Sequence, residues 1–253
     1  MIKIFLFKSG FIRSVYSFIR FVYFAHILKK YSFLHDDKKN EIEKIDLKAL
    51  GYDNSSDTEP EKYFNKIRDY EKKALIESSL NIKNIKNIFS GNRSSLIISP
   101  ILSCRFINRT KAKVLSIGPR TEGEIFNLMG NGFNQKNITA VDLQSYSPLI
   151  KVGDIHNLEY LDNTFDVIIC GWTIAYSYNK TKAASEIIRV AKNNAIISIS
   201  GTYAGETKGS IKSTELIGLF KKNTKKILFN LAHNDFPDEQ ERKHSIITLI
   251  VEK

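Results

Sequence analysis

Four short apolar runs separated by helical stretches constrain the fold of this chain more than any other feature of its sequence. The runs cover residues 113–117, 138–142, 165–170 and 195–200. Short runs rich in Ile and Val are typical of strands buried on both faces of a parallel sheet. Helical stretches over residues 124–129 and 181–192 lie between the runs. This strand–helix–strand order predicts an α/β fold with a doubly wound, mostly parallel sheet.

The C-terminal part of the chain departs from that order. Residues 226–231 and 245–251 are also apolar, but the stretch between them is polar and has no helical spacing. A connection of this kind joins antiparallel strands, because parallel neighbours need a long crossover. The sequence therefore predicts an antiparallel hairpin at the end of the sheet.

Residues 1–35 are basic and aromatic. The chain has a formal net charge of +11, and this segment contributes six Lys and Arg with no Asp or Glu. Its longest charge-free run, residues 21–28, is far shorter than the roughly 20 residues that a membrane-spanning helix needs. Arg13 and Arg20 interrupt the apolar region, and no small-residue cleavage site follows, so a signal peptide is not indicated. We therefore expect a cytoplasmic location.

Two interpretations of this segment stay open. As an interfacial helix, its aromatic side chains enter the headgroup boundary while Lys and Arg face anionic lipid, which predicts peripheral association with the inner face of a membrane. Alternatively, the aromatic face packs on the protein's own core or on a partner chain. Basic residues among aromatics also suit single-stranded nucleic acid, but no nucleic-acid-binding module accompanies them, so that partner is not expected.

The first part of the chain is predicted to be a helical extension. Residues 51–60 are rich in turn formers and are the best linker in the chain. A capping box at the end of this linker predicts a helix over about 59–80. We therefore divide the chain into an N-terminal extension, residues 1–110, and an α/β domain, residues 111–253.

The sequence does not predict a disulfide framework or a metal centre. The two cysteines, Cys104 and Cys170, are too few for a disulfide framework or a multi-cysteine zinc site. The five histidines show no ligand spacing with one another. We therefore expect no metal.

Three residues stand where ligands of such sheets bind, at the carboxyl ends of the strands. Gly118 directly follows the first apolar run, where a missing Cβ lets the backbone turn sharply and approach a ligand. Asp142 ends the second run, where a carboxylate can accept both hydroxyls of a ribose. Asp154 follows Gly153 and precedes an apolar residue, which suits the orientation of an adenine edge. Taken alone, each is also an ordinary turn or cap residue.

In this order and spacing, the residues resemble the class I S-adenosylmethionine-dependent methyltransferases. Residues 114–124 (VLSIGPRTEGE) resemble the glycine-rich first motif, and residues 138–143 (ITAVDL) resemble the second. Residues 153–172 (GDIHNLEYLDNTFDVIICGW) give the strongest match, and residues 186–200 (EIIRVAKNNAIISIS) resemble the helix, turn and strand that follow. The resemblance covers about residues 111–253.

The resemblance implies a Rossmann-like fold and S-adenosylmethionine as the cofactor. The acidic residue of the second motif, which takes the ribose hydroxyls in the family, is Asp142 here, and adenine contacts carry over to Asp154 and Ile155. The cofactor-binding residues that it implies are Gly118, Pro119, Arg120, Asp142, Leu143, Asp154, Ile155 and Gly171.

The glycine-rich motif departs from the family pattern. The family's G-x-G-x-G is reduced to Gly118 with a further glycine at Gly123, and Arg120 and Glu122 stand where small residues are usual. Three consequences stay open: the loop takes another course, Arg120 pairs with the cofactor carboxylate, or cofactor binding is lost. An NAD-binding fold would need G-x-G-x-x-G after the first strand, and the chain has no such run.

The resemblance implies a methyl transfer in which the protein chiefly aligns the acceptor with the methyl group and excludes water. The family's Asp/Asn-Pro-Pro-Tyr/Phe signature of amine methylation is missing, which favours oxygen or carbon acceptors. His156 and Tyr176 are candidate catalytic residues, although a solvent-facing loop histidine is the commoner case. His233 and Asp235, which follow the apolar run 226–231, are a more remote candidate pair for the same role, and solvent exposure is again the commoner case.

We therefore expect an S-adenosylmethionine-dependent methyltransferase that acts on a small-molecule or glycan-precursor acceptor, by preference at oxygen. One alternative is a non-catalytic scaffold or binding protein that keeps the fold without the cofactor site. An RNA methyltransferase is a third interpretation.

Overall fold

The computed structural model describes part of the chain. The described residues are 15, 18, 19, 22, 23, 43–44, 92–119, 122–145, 149–205, 209–232 and 243–253. The predicted linker at 51–60, the predicted helix over about 59–80, Arg120, His233 and Asp235 lie outside them. The chain divides into two compact units, Met1–Glu41 and Ile42–Lys253.

In the first unit, the described residues form one stripe on a helix. They are Val15, Phe18, Ile19, Val22 and Tyr23, and each is helical. Their spacing is that of a single apolar helix face. All five side chains are exposed, with Phe18 and Tyr23 each at 66%. An apolar helix face is therefore exposed in this unit.

The second unit contains a seven-stranded sheet with helices. Its described strands are β1 (Glu43–Lys44), β2 (Val114–Ile117), β3 (Ile138–Asp142), β4 (Gln144–Ser145), β5 (Ile150–Val152), β6 (Phe165–Gly171), β7 (Ala191–Tyr203), β8 (Thr224–Ala232) and β9 (Lys243–Val251). Its described α-helices are α1 (Asn92–Leu102), α2 (Gly123–Gly130), α3 (Lys180–Val190) and α4 (Ser213–Phe220). Short 3-10 helices cover Gln135–Asn137, Ile174–Tyr176 and Lys221–Asn223.

The sheet confirms the predicted fold class. Its strand order is β5-β3-β2-β6-β7-β9-β8, and the two short strands β1 and β4 pair separately. The five strands from β5 to β7 pair in parallel. β9 runs antiparallel to both β7 and β8, as the polar connection before it predicted. The order turns back at β2, so the carboxyl ends of β2 and β6 flank the switch point where ligands of such sheets bind.

Successive side chains of a central strand pack on opposite faces of the sheet. In β6, Val167 and Ile169 share a core cluster with α1, whereas Ile168 and Cys170 share another cluster with α3. This alternation follows from the two-residue repeat of a strand. Because helices cover both faces, residues 167–170 of the strand are all apolar and buried, which is why the continuous apolar run predicted it.

Helix α1 belongs to the same core as the sheet, although it precedes residue 111. Its side chains Ile97, Ile98 and Ile101 are at most 1% exposed. They cluster with strand residues that include Val114. The boundary between residues 110 and 111 stays a prediction, but α1 supports an α/β folding unit that begins before it.

In the part of the chain that the structure describes, no helix is both long enough and apolar enough to cross a membrane.

Candidate functional site

Three neighbouring strands end side by side at one edge of the sheet. Ile117 of β2 pairs with Val141 of β3 and with Cys170 of β6. The residues that follow, Gly118, Asp142 and Gly171, are therefore brought together, as the sequence predicted. The Gly118 amide fixes this arrangement by donating a hydrogen bond to the carbonyl of Val141 at 2.8 Å.

Gly118 has no room for a side chain. Its φ is +70°, a conformation that favours glycine. A Cβ built on it would lie 1.9 Å from Thr173 Oγ1, in the loop after β6. The Thr173 hydroxyl lies 3.1 Å from the carbonyl oxygen of Gly171, to which it donates. The glycine is thus required by the close approach of the loops after β2 and β6, and this approach shapes the edge of the site.

Asp142 presents a half-buried carboxylate at the end of β3. Its Oδ1 accepts a hydrogen bond from the backbone N–H of Leu143 at 2.7 Å. Its carbonyl accepts from the amide of Gly153 at 2.9 Å, which ties the loop after β5 to β3. The carboxylate is thus held at the strand end, where it can accept hydrogen bonds from vicinal hydroxyls.

Glu124 is a second carboxyl group at this edge, for which the sequence pattern predicted no role. It lies in the first turn of α2, is only 9% exposed, and accepts a hydrogen bond from Ser116 Oγ at 2.5 Å. Burial raises the pKa of Glu124 to about 7, with a further rise from nearby Asp142 and opposition from the Ser116 hydrogen bond. The signal available in the sequence was an acidic residue that opens the helix after a glycine-rich loop.

Asp154, His156 and Ser177 form a hydrogen-bonded array. Asp154 Oδ1 lies 2.6 Å from His156 Nδ1, and His156 Nε2 lies 2.5 Å from Ser177 Oγ. A carboxylate on Nδ1 places the ring proton there, so Nε2 accepts the Ser177 hydroxyl proton. The backbone N–H of Asn179 donates to the same hydroxyl at 3.1 Å. The array links the turn after β5 to the loop after β6.

The array changes the interpretation of His156. Its residue exposure is 2%, and its ring stacks on Tyr178 with 4.0 Å between the ring centroids. The alternative of a solvent-facing loop histidine is therefore wrong. Asp154 is only 1% exposed, and its carboxylate also accepts from the backbone N–H of His156 at 2.9 Å.

The remaining predicted residues occupy different surroundings. Ile155 is 7% exposed, and its side chain belongs to the hydrophobic core. Pro119 and Leu143 are half-buried at the strand ends. The ring of Tyr176 lies against Gly209, where an added Cβ would come within 2.3 Å of it. Tyr176, in the loop after β6, therefore packs against Gly209 and directly precedes Ser177 in the chain.

An ion pair on α3 holds the loop that follows the array. Arg189 donates to the carboxylate of Glu186 at 2.8 and 2.9 Å and to the carbonyls of Leu158 and Tyr160 at 2.7 Å. Glu186 also accepts from the backbone N–H of Leu158 at 2.9 Å. Burial opposes ionisation of Glu186, but these hydrogen bonds hold its pKa below the usual value. This clamp explains the Glu-x-x-Arg spacing on the helix.

Metal ligands and the thiol nearest this edge of the sheet can be assessed among the described residues. No cluster of three or more His, Cys, Asp or Glu side chains in this part of the chain could hold a metal ion. Burial raises the pKa of the Cys170 thiol to about 12, so a thiolate nucleophile is not available there at neutral pH.

The comparison with protein families decides the class. Residues 115–199 match the family model of the methyltransferase domain. The chain contains a methyltransferase domain, as the motif resemblance implied.

Two solved structures have the same fold as this methyltransferase. The 1,6-didemethyltoxoflavin-N1-methyltransferase of Burkholderia thailandensis, solved with 1,6-didemethyltoxoflavin and S-adenosylhomocysteine, is 11% identical, with a TM-score of 0.54 over 79% of this chain and 94% of that chain. The N-methyltransferase NodS of Bradyrhizobium japonicum, solved with S-adenosylhomocysteine, is 11% identical, with a TM-score of 0.52 over 68% of this chain and 92% of that chain. A sequence comparison with curated proteins gives no match.

The described residues fit the cofactor of this class. Gly118 turns the chain without a side chain, and the half-buried carboxylate of Asp142 stands on the neighbouring strand. When bound, S-adenosylmethionine supplies a methyl group activated by the sulfonium.

Proposed function

We propose that this methyltransferase methylates a hydroxyl oxygen of a small-molecule or glycan-precursor acceptor. The observation that carries the proposal is the array of Asp154, His156 and Ser177. A hydroxyl acceptor must lose its proton as the new bond forms, and a positioned base assists that loss. The two solved neighbours share only the fold at 11% identity, so their nitrogen acceptors are not transferred to this chain.

In the proposed reaction, the acceptor hydroxyl donates its hydrogen bond to Ser177 Oγ. The acceptor proton would pass to Ser177 while the Ser177 proton passes to His156 Nε2. Bound S-adenosylmethionine would supply the methyl group, whose bond to sulfur would break as the bond to the acceptor oxygen forms, leaving S-adenosylhomocysteine. Asp154, at 2.6 Å from His156 Nδ1, stabilises the imidazolium that results. The loop after β6 would then orient the acceptor, and the Tyr176 ring would pack beside the acceptor.

The cofactor contacts are part of the proposal. Asp142 accepts the ribose hydroxyls, and the turn at Asp154 and Ile155 receives the adenine. Backbone groups at Gly118 and Gly171, on either side of the switch point, approach the methionine part. Pro119 and Leu143 complete this lining, and Arg120, outside the described residues, pairs with the cofactor carboxylate.

Asp142→Ala is expected to weaken the binding of S-adenosylhomocysteine by about 1–3 kcal/mol, because hydrogen bonds from the ribose hydroxyls to a charged group are lost. Calorimetric titration measures the change. Asp166→Ala is the matched control, since Asp166 is the second residue of β6, at the opposite edge of the sheet, and pairs with Lys192 at 2.7 Å. An affinity of Asp142→Ala equal to that of the parent protein would exclude the ribose role.

Ser177→Ala and His156→Asn are expected to slow methyl transfer by about 10²–10⁴-fold near neutral pH, because the base is lost or disconnected. Their affinity for S-adenosylhomocysteine should stay near that of the parent. The assay uses cofactor labelled with ¹³C in the methyl group and a panel of sugar nucleotides, phenols and amines, and NMR of the product identifies the methylated atom. Ser103→Ala, at an exposed serine, is the control.

A methyl group found on nitrogen or carbon would contradict the oxygen proposal. So would full activity of Ser177→Ala with every hydroxyl acceptor that the parent protein methylates. Recovery of the His156→Asn rate as the pH rises would support it, because the acceptor then ionises without a base.

We also propose that residues 1–35 bind an anionic membrane surface. The exposed helix face that includes Phe18 and Tyr23 supports this, as do the six Lys and Arg of the segment. Apolar side chains that enter the headgroup boundary, together with attraction between basic residues and anionic lipid, give this mode of binding.

Deletion of residues 1–35 is expected to abolish binding to phosphatidylglycerol vesicles without unfolding the α/β unit. The double variant Phe18→Gln/Tyr23→Gln should weaken binding at least about tenfold, because burying each side chain is worth about 1.5–3 kcal/mol. Vesicle sedimentation measures binding, and Leu161→Gln is the control because Leu161 is 83% exposed outside this segment. Aggregation of the deleted protein would instead indicate that the segment is part of the protein's core.

A further inference from the structure

A pocket of about 270 Å³ lies where the end of β7, the start of β9 and the first turn of α4 meet. The described residues of its lining supply many hydrogen-bond donors and include no Asp or Glu. Lys212 and Lys243 contribute ammonium groups, and Ser213, Thr214 and Ser245 contribute hydroxyls. The proposed methyl transfer uses none of these residues.

Neither ammonium group forms an ion pair with another residue in the part of the chain that the structure describes. The Lys212 Nζ instead lies 5.5 Å from the centre of the Tyr203 ring, a cation–π contact that leaves its hydrogen-bonding protons available. Two cations close together without a carboxylate repel each other, so an anion between them is favourable.

Ser245 gives an independent indication of a ligand. It is 3% exposed and lines the pocket, yet its hydroxyl has no hydrogen-bond partner among the described residues. Among the described residues, this hydroxyl is not one of the fully buried side-chain atoms without a partner, so it is accessible from the pocket. Three residues along the same strand, Thr248 shares a hydrogen bond of 3.0 Å with Ser198. Unlike the Thr248 hydroxyl, the Ser245 hydroxyl is thus open to a group bound in the pocket.

The first turn of α4 adds backbone donors. The helix begins at Ser213, and the side chain of its N-cap residue, Lys212, forms no capping hydrogen bond. The N-cap side chain therefore does not occupy the amide groups of the first turn, and the dipoles of such groups favour an anion. Hydroxyls, amides and two ammonium groups converge on one volume, and this donor set matches a phosphoryl group.

The position of the pocket relates it to the methyl-transfer site. Gly171 of β6 pairs with Ser200 of β7. The pocket residues follow within three positions, since Gly201 pairs with Ser245 and Tyr203 pairs with Lys243. The pocket and the candidate site thus share the carboxyl edge of the parallel strands, on which an acceptor can reach both.

We propose that this pocket binds a phosphoryl group carried by the methyl acceptor. The proposal rests on the function proposed above, and it restricts the acceptor to phosphorylated molecules such as sugar phosphates or nucleoside diphosphate sugars. Lys212 and Lys243 neutralise the charge, while the Ser245 hydroxyl and the first turn of α4 donate to the phosphoryl oxygens.

The test titrates the full chain with inorganic pyrophosphate by calorimetry in a buffer without phosphate. Lys243→Ala should weaken binding about tenfold or more, and Ser245→Ala about tenfold, because each removes a hydrogen bond to an anion. Lys226→Ala is the matched control, since it removes the same charge from an exposed position on β8. It should change the affinity less than about twofold.

Equal losses in Lys243→Ala and Lys226→Ala would overturn the proposal, because they would reflect attraction to the positive chain as a whole. Acetate that binds as tightly as pyrophosphate would also overturn it in favour of a carboxylate. S-adenosylhomocysteine is titrated separately. If S-adenosylhomocysteine binds and pyrophosphate does not, only the proposal of a phosphoryl pocket is contradicted. If pyrophosphate binds and S-adenosylhomocysteine does not, the pocket is supported and the proposed methyl transfer is contradicted.

Discussion

A chain that begins at Lys111 is expected to show no cooperative unfolding, because it lacks helix α1. In the whole protein, Ile97, Ile98 and Ile101 of this helix are almost completely buried against the sheet. Burying each side chain is worth about 1.5–3 kcal/mol. The free energy of burying all three side chains approaches the total stability of a typical domain, about 5–15 kcal/mol. Urea denaturation followed by circular dichroism measures the result.

Two further proteins make this prediction specific. A chain that begins at Ser90 retains α1 and should unfold cooperatively. In the full-length chain, Ile97→Ala should lower the free energy of unfolding by about 2–5 kcal/mol, because it opens a cavity in the core. Leu96→Ala is its control, since the neighbouring Leu96 is 49% exposed. Cooperative unfolding of the chain from Lys111, with the midpoint of the full-length protein, would instead confirm the predicted boundary.

Helix α1 could not be predicted from its sequence for a physical reason. It contains Pro100 two residues before its last residue, and a proline inside a helix removes a hydrogen bond and usually marks an end. Burial of Ile97, Ile98 and Ile101 on the sheet offsets that loss. This contribution exists only in the folded protein, so local preference gave no indication of it.

The strands were predictable because the surroundings of each strand determine the polarity of its consecutive residues. A strand covered by helices on both faces is apolar at nearly every position, and β2 and β6 are so except at Ser116 and Asp166. The hairpin of β8 and β9 was predictable for a complementary reason, since its polar connection cannot form a crossover helix. Helix α4, only eight residues long, was not predicted.

The candidate site was predictable where one strand end defines a residue, and not where folding joins distant segments. Gly118 and Asp142 follow directly from the ends of β2 and β3. The bond between His156 and Ser177 joins residues 21 positions apart, and no spacing rule connects them. The burial that raises the pKa of Glu124 likewise depends on neighbours from other elements.

Glu124→Gln is expected to stabilise the protein by about 3 kcal/mol at pH 8 and to leave its stability nearly unchanged below pH 4.5. Burial raises the pKa of Glu124 from 4.5 to about 7 in the folded protein, and each tenfold change in proton affinity corresponds to about 1.4 kcal/mol. The folded state therefore holds this proton more tightly, so stability is lost as the pH rises from about 4.5 through 7. Urea denaturation across this range measures the loss.

The glutamine variant should remove this part of the pH dependence because its amide does not ionise. Glu215→Gln is the control, since Glu215 is exposed in the first turn of α4 and should change stability by less than about 0.5 kcal/mol. A carboxyl group that lowers stability beside Asp142 and Gly171 is typical of a functional site. We therefore expect Glu124→Gln to bind S-adenosylhomocysteine more weakly while it unfolds at higher urea concentration. If the variant shows the same loss of stability with pH as the parent protein, Glu124 is not the titrating group.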